Sequence, residues 1–331
     1  MKAIIHKGKV GLEGLRFGEI DEPVVDSKGV KVKLKAVGMN RRDLAVTSRH
    51  KTDDPDLILG SDGAGIIEEV GSEVTRFKVG DEVVINPGLG WKEKSDAPPK
   101  GFEIVGLPDH GTFAEYYVSS EDYIEKKPQF LSWEEAAVLP LAALTAYRVL
   151  FSRARITKED TVMLPGIGSG VLTFALKFAK AIGSRVIVSS RSKEKQREAL
   201  QLGADLAIDT ESNWNEELAG ESIDVLVESV GQATFDKSLG IIRRGGTIVT
   251  FGATTDDKVE IDIRKFFYGQ YNLLGSTMGS REEFQDMLHF VEENKITPEI
   301  DKMFPMSDYE EAFSYIRDSK NFGKIGFKIS Y

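Results

Sequence analysis

The chain has 331 residues, 41% of them hydrophobic, with 43 Lys and Arg against 53 Asp and Glu and a formal charge of -10. That length allows two domains with cores of their own, and an acidic chain without a long basic run excludes a nucleic-acid backbone or an anionic membrane surface as its expected partner. No cysteine is present, which rules out disulfides, thiolate nucleophiles and cysteine-ligated zinc.

The opening MKAIIHKGKVG has no hydrophobic signal region, and no apolar run approaches the roughly 18 residues that span a bilayer, so a cytoplasmic protein is expected. Up to about residue 126 the chain reads as short strands separated by turns: 2–6, 30–37 with clear period-two alternation, 63–70, 82–85 and 112–118. Such spacing predicts a small barrel-like β domain. Residues 87–108 hold Trp91, Pro98, Pro99 and Phe102 with little periodicity, and read either as a pocket cover or as a structural lobe. The four histidines, His6, His50, His110 and His289, show no short metal-binding spacing and are expected at the surface or in loops.

Ser132 and Glu135 form an S-x-x-E capping box that starts a helix, and Pro140 breaks it before a second helical run. From residue 162 strands and helices alternate. Strands are expected at 162–164, 185–189, 206–209, 225–229, 247–251 and 272–274, which together make a doubly wound parallel sheet and an α/β fold class. Helices at 282–294 and 308–318 and a strand at 326–329 return the chain to its first domain. The expected division is therefore 1–126 with 269–331, and 127–268.

The first βαβ unit of the second domain carries the chemistry. Its turn, PGIGSG, places Gly166, Gly168, Ser169 and Gly170 ahead of a helix that opens with Val171. Glycines there let the backbone approach a pyrophosphate, whose charge the helix start stabilises. Glycines serve other tight strand-to-helix turns as well, so the surrounding βαβ unit is what points to a dinucleotide. After the second strand stand Ser190, Arg191 and Lys195, where an NAD-binding protein usually has an acidic ribose ligand. These donors suit a 2′-phosphate and favour NADPH. Gly231, Phe251, Gly252, Thr277 and Met278 sit at later strand ends, where open parallel sheets bind ligands.

Five segments extend this into a resemblance: VKVKLKAVGMNRRDL at 30–44, LGSDGAGIIEEVG at 59–71, FKVGDEVV at 77–84, GTFAEYYV at 111–118 and LPLAALTAYRVL at 139–150. Over nearly its whole length the chain resembles the medium-chain dehydrogenase/reductase superfamily, in particular its zinc-independent, quinone oxidoreductase-like branch. The resemblance implies a GroES-like β-barrel domain, a Rossmann domain, a cleft between them and a homodimer joined at the edge of the nucleotide-binding sheets. It also implies contacts to the cofactor from Asn40, Thr145 and, through the NFGK stretch at 321–324, Asn321.

Zinc-dependent members of that superfamily carry a Cys where Asn40 stands, a His where Ser61 stands and a further ligand near Leu141. An amide, a hydroxyl and an aliphatic side chain do not make a tetrahedral N/S site, so no catalytic or structural zinc is expected. Leu172 stands where many relatives have a glycine. Asn40 and Ser61 are the candidate catalytic residues; each also suits a turn or helix cap, and Arg42 with Asp43 reads as an ion pair or brace. Without a Lewis acid or an evident proton donor, a substrate that spreads its own charge is favoured: a quinone or α,β-unsaturated carbonyl reduced by NADPH. The alternatives are an alcohol or aldehyde oxidoreductase of the same superfamily, and a non-catalytic NADPH-binding sensor.

Overall fold

A computed structural model describes residues 1–331, and its Cα packing divides them into two compact units: Met1–Leu144 with Gly279–Tyr331, and Thr145–Met278. The first unit opens with β1 (Lys2–His6), β2 (Leu15–Glu19), β3 (Gly29–Met39), α1 (Arg41–Arg49), β4 (Leu57–Ile58), β5 (Asp62–Val70) and β6 (Glu82–Ile85). It continues through β7 (Gly88–Leu89), β8 (Glu103–Ile104), β9 (Tyr116–Ser120), β10 (Ile124–Lys126) and α2 (Trp133–Val138), and α3 (Pro140–Tyr147) carries the chain across the division. The second unit holds β11 (Thr161–Leu164), α4 (Gly170–Ala181), β12 (Arg185–Ser190), α5 (Lys193–Gln201), β13 (Leu206–Asp209), α6 (Trp214–Glu217), β14 (Ile223–Glu228), α7 (Gln232–Ile241), β15 (Ile242–Thr250), α8 (Ile263–Gly269) and β16 (Asn272–Gly275). The chain returns to the first unit with α9 (Arg281–Glu293), β17 (Ile300–Pro305), α10 (Tyr309–Arg317) and β18 (Lys324–Lys328).

In the first unit β3 is the spine. It pairs antiparallel with β5, β9 and β18 inside a seven-stranded sheet, and its alternating Val30, Val32 and Leu34 are fully buried in the core with Phe113 and Phe327. The last two rings meet edge to face at 5.2 Å, an arrangement aromatic pairs prefer. Because β18 lies beside the end of β3, Ile325 is opposite Met39. That register brings the last strand of the chain to the start of α1.

The second unit is a six-stranded sheet of order β13-β12-β11-β14-β15-β16, every neighbouring pair parallel. Numbered within the unit this is 3-2-1-4-5-6, the doubly wound order, whose ligands bind outside the carboxyl ends of the strands. No helix is long and apolar enough to cross a membrane.

Several details differ from the sequence reading. The division falls at 144/145 and 278/279, against the expected 126/127 and 268/269; α2 stays with the first unit because it lies on β3 so closely that a Cβ on Gly38 would sit 2.6 Å from the Ala137 carbonyl oxygen. The expected strand at 112–118 begins only at Tyr116. Thr112 and Phe113 donate instead to the carbonyls of Gly60 and Leu59, at 3.1 and 2.8 Å, and this ties them across the start of β5. His6 and His50 are buried rather than at the surface, with their Nδ1 atoms 2.8 Å apart, and burial pushes His6 below the usual histidine range. Within residues 87–108 Trp91 is buried, its ring meeting Phe102 edge to face at 5.4 Å, while residues 92–101 are exposed.

The contact at Gly38 yields a test. Gly38→Ala forces its Cβ against backbone at 2.6 and 2.8 Å, and overpacking of this kind costs about 1–3 kcal/mol. A lowered urea midpoint is expected, and an unchanged midpoint would show that α2 can shift freely on β3.

Candidate functional site

The glycine turn of the second unit is built by steric exclusion. Gly166 and Gly168 have φ of 73° and 131°, and a Cβ on either would lie 2.7 Å from a Val230 methyl or 2.9 Å from Lys195 Cδ. Only glycine fits both the dihedrals and the space. The turn is tied to the end of β12, since the amides of Gly166 and Ile167 donate to Ser189 Oγ and Ser189 O at 3.3 and 2.9 Å. Ser169 caps α4 by accepting the Leu172 N–H, and Gly170 and Val171 form its first turn. Leu172 is buried there without displacing the turn. A group bound over this turn meets free helix N–H groups and a cation, because Lys195 lies directly above Gly168.

The other expected nucleotide residues collect along the same sheet edge. Ser190 is buried at the end of β12, its Oγ accepting the Ser192 N–H and its carbonyl the Gln196 amide, while Arg191 beside it is exposed. Ser192 caps α5, which fixes where Lys195 leaves the helix. At the end of β14, Gly231 has φ 89° and begins α7. Its amide and that of Val230 donate to buried Glu228, which also takes the hydroxyls of Thr234 and Ser238. That carboxylate is consumed in holding the turn. Phe251 and Gly252 follow β15, and Thr277 and Met278 follow β16, Thr277 exposed and Met278 buried. Thr145 is buried on α3 at the first residue of this unit.

In the first unit the structure brings Asn40 and Ser61 into one buried polar cluster. Asn40 caps α1, its N–H donating to Asp43 Oδ2 at 2.7 Å. Its side-chain amide is held at both ends: Nδ2 donates to Asp62 Oδ2 at 2.8 Å, and Oδ1 accepts from Lys324 Nζ at 2.6 Å. Lys324 donates again to Met39 O at 2.7 Å and stands 3.6 Å from Asp62, whose other oxygen accepts the Leu141 N–H at 2.8 Å. Ser61 Oγ donates to Val105 O at 2.7 Å and accepts from Arg42 Nη1 at 2.8 Å. Asp43, Asp62 and Ser61 are fully buried, and Lys324 is 3% exposed.

Charges shut away from water shift toward neutrality. Burial pushes Asp62 above the usual carboxylate range and pulls Lys324 below the usual lysine range, each opposed by the other's charge. Asp43 is pushed up to about 7 by burial, against the Asn40 N–H that favours its ionised form. Burial likewise lowers Arg42, with Asp43 opposing.

These residues do not fit zinc. Asn40 and Ser61 spend their polar atoms on protein partners, Leu141 offers no ligand, and no three His, Cys, Asp or Glu side chains are grouped to hold a metal ion. The second unit does fit a dinucleotide, as the excluded Cβ positions and the cation over the turn show. Asn321 has a local role, its Nδ2 donating to Gly323 O at 2.7 Å in the turn before β18. The neighbour that reaches the cluster is Lys324. Arg42 and Lys324 were not among the expected site residues, and the available signal for Lys324 was the quoted NFGK, whose lysine reaches Asn40.

Residues 26–129 match the alcohol dehydrogenase GroES-like domain and residues 170–293 the zinc-binding dehydrogenase family. A zinc-type alcohol dehydrogenase-like protein of Schizosaccharomyces pombe is 33% identical, over 99% of each chain. A crystal structure described as an NAD-dependent alcohol dehydrogenase superposes with a TM-score of 0.94 at 34% identity, covering both chains completely. The crotonyl-CoA reductase of Streptomyces avermitilis is 30% identical over 85% of this chain and 69% of its own.

The raised carboxyl of Asp43 makes stability depend on pH. Below about pH 4 folded and unfolded forms both carry the proton; as pH rises toward 7 the unfolded carboxyl ionises first, so this contribution is lost through that window and is constant above it. Asp43→Asn keeps an acceptor for the Asn40 N–H and removes the titration. Relative to the parent chain, its urea midpoint is expected to improve between about pH 5 and about pH 8, and equal differences at both values would place the titration elsewhere.

Proposed function

We propose, for a chain that belongs to the zinc-type alcohol dehydrogenase-like medium-chain dehydrogenase/reductase superfamily, that it uses NADPH to reduce a quinone or another activated α,β-unsaturated carbonyl without a metal ion. It is an NAD(P)-dependent oxidoreductase of that superfamily acting on a small molecule. The finer reading is carried by one observation: Asn40 and Ser61, which the resemblance sets at the ligand positions of zinc-dependent members, are both already bonded within the protein. A conjugated substrate moves the charge of the incoming hydride onto a distant oxygen and asks less of the site than an isolated carbonyl does. The crotonyl-CoA reductase relative, named for reducing a conjugated thioester, supports this choice.

A second reading, interconversion of an alcohol and an aldehyde or ketone, is supported by the names of the alcohol dehydrogenase relatives that run the full length of the chain. Initial rates of NADPH oxidation on quinones, enones, aldehydes and simple ketones separate the two. Turnover confined to simple carbonyls would overturn the first reading in favour of the second.

The preference for NADPH rests on Ser190, Arg191 and Lys195 beside the glycine turn, with no carboxylate among residues 189–193 to repel a 2′-phosphate. Within the reaction Gly166, Gly168, Ser169, Gly170 and Val171 hold the pyrophosphate, and Thr145, Gly231, Phe251, Gly252, Thr277, Met278, Asn40 and Asn321 supply further contacts. A homodimer is proposed through α8 and β16, where Ile263, Phe267, Tyr268 and Leu273 are exposed at a sheet edge.

Arg191→Ala is expected to weaken NADPH by about 1.5–3 kcal/mol, the scale of a hydrogen bond to a charged group, and to leave NADH nearly unchanged. Titration by nucleotide fluorescence measures both, and equal losses would remove the 2′-phosphate assignment.

A further inference from the structure

Two imidazole rings meet inside the first unit with every ring nitrogen engaged. His6, at the end of β1, is fully buried, and His50, the residue that ends α1, is 3% exposed. His6 Nε2 lies 2.9 Å from Gly11 O, and His50 Nε2 lies 2.8 Å from Pro55 O. A carbonyl oxygen only accepts, so both Nε2 atoms carry hydrogen. The two Nδ1 atoms stand 2.8 Å apart, a hydrogen-bond distance, and one of them must donate to the other. The tally is three ring protons on two rings, whereas a neutral pair holds two. The contact therefore encloses one positive charge.

The surroundings assign that charge to His50. Its backbone N–H closes the last turn of α1 on Val46 O, so the residue stands at the negative end of the helix. His6 is the acceptor: burial holds it below the usual histidine range, its bond to Gly11 opposes this, and the charge that acts on it is that of His50. Neither ring bonds a carboxylate. On the flanking segments Lys7 pairs with Asp56 at 2.7 Å and Lys9 with Glu13 at 3.3 Å. Arg49 of α1, Arg16 of β2, and Lys51, Asp53 and Asp54 after α1 are exposed. Two further titratable groups on adjoining elements are engaged elsewhere, His110 Nδ1 with the Ile58 N–H and the Tyr309 hydroxyl of α10 with Glu310.

We propose that the proton shared by His50 and His6 is a pH-operated latch, which closes segments 7–14 and 50–56 onto the end of α1. With three ring protons present the bond forms, and Gly11 is held through its carbonyl by His6 and through its N–H by Thr47 O at 2.8 Å. Rising pH removes the shared proton, two lone pairs then face each other at 2.8 Å, and the contact opens. Falling pH adds a fourth proton, two imidazolium charges meet in the interior, and it opens again. The depressed His6 resists that second protonation. Because the unfolded chain takes up the proton first, stability falls as pH drops below about 6.5. Asn40 caps the other end of α1, so the latch fixes the far end of the helix that carries it. None of this depends on the hydride-transfer reading.

The test uses the full chain labelled with ¹⁵N-histidine. A ¹⁵N–¹⁵N coupling across the hydrogen bond marks the two rings in the parent chain itself, and His50→Gln and His6→Gln identify which is which. Across one interval of pH both His50 nitrogens are expected to carry protons while His6 Nδ1 remains a lone pair. Raising the pH beyond that interval is expected to remove the His50 Nδ1 proton and, in the same step, to lower the hydrogen-exchange protection factor of the Gly11 amide at least about tenfold, the mark of local opening. In His50→Gln that protection factor is expected to hold constant through the same step. Two neutral rings without a coupling throughout the histidine range, or a His50 titration that leaves Gly11 protection unchanged in the parent chain, would overturn the proposal.

Discussion

A buried charge is tolerated only when it is paired and its hydrogen bonds are met, and in the first unit that constraint binds α1, β3, β5 and β18 into one arrangement. Asp62 is the centre of it. Its two carboxylate oxygens take the Asn40 amide and the Leu141 N–H, and Lys324 lies 3.6 Å away. Removing any one partner leaves a charge or a lone pair unsatisfied in the interior. The first β-strands, the chain entering the linking helices and the final strand are thereby held to one register around Asn40.

Pairing of this kind does not cancel the cost of burial. Two cations, Arg42 and Lys324, face two buried carboxylates, and burial drives both carboxyls upward and both cations downward. The consequence is chemical. A proton is held less firmly by Lys324 and more firmly by Asp43 than either group would manage in water.

The second unit was legible because its signals are local. Glycines at 166, 168 and 170 between a β-branched strand and an apolar helix specify the turn, and the parallel order of the sheet follows from repeated strand–helix alternation. Lys195 was legible only as a cation after the second strand; that it lies over Gly168 follows from the start of α5 at the Ser192 cap. The cluster in the first unit was not legible. Arg42 meets Ser61 and Val105, and Lys324 meets Asn40 across 284 residues, contacts created by sheet register rather than by any periodic pattern. Val30, Val32 and Leu34 announced β3 through alternation, but nothing local announces that Lys324 would be buried beneath it. Likewise His6 and His50 carry no sequence mark of their meeting, which depends on the end of α1 lying against β1.

The function proposed above is a hydride transfer that proceeds without a metal ion. Its most direct test is metal analysis and activity on the same preparation, before and after exhaustive dialysis against a strong chelator, with any carbonyl compound that proves to be reduced. The account predicts substoichiometric zinc at the outset and an unchanged rate after dialysis. Stoichiometric zinc whose removal abolishes turnover, with recovery on adding zinc back, would contradict it.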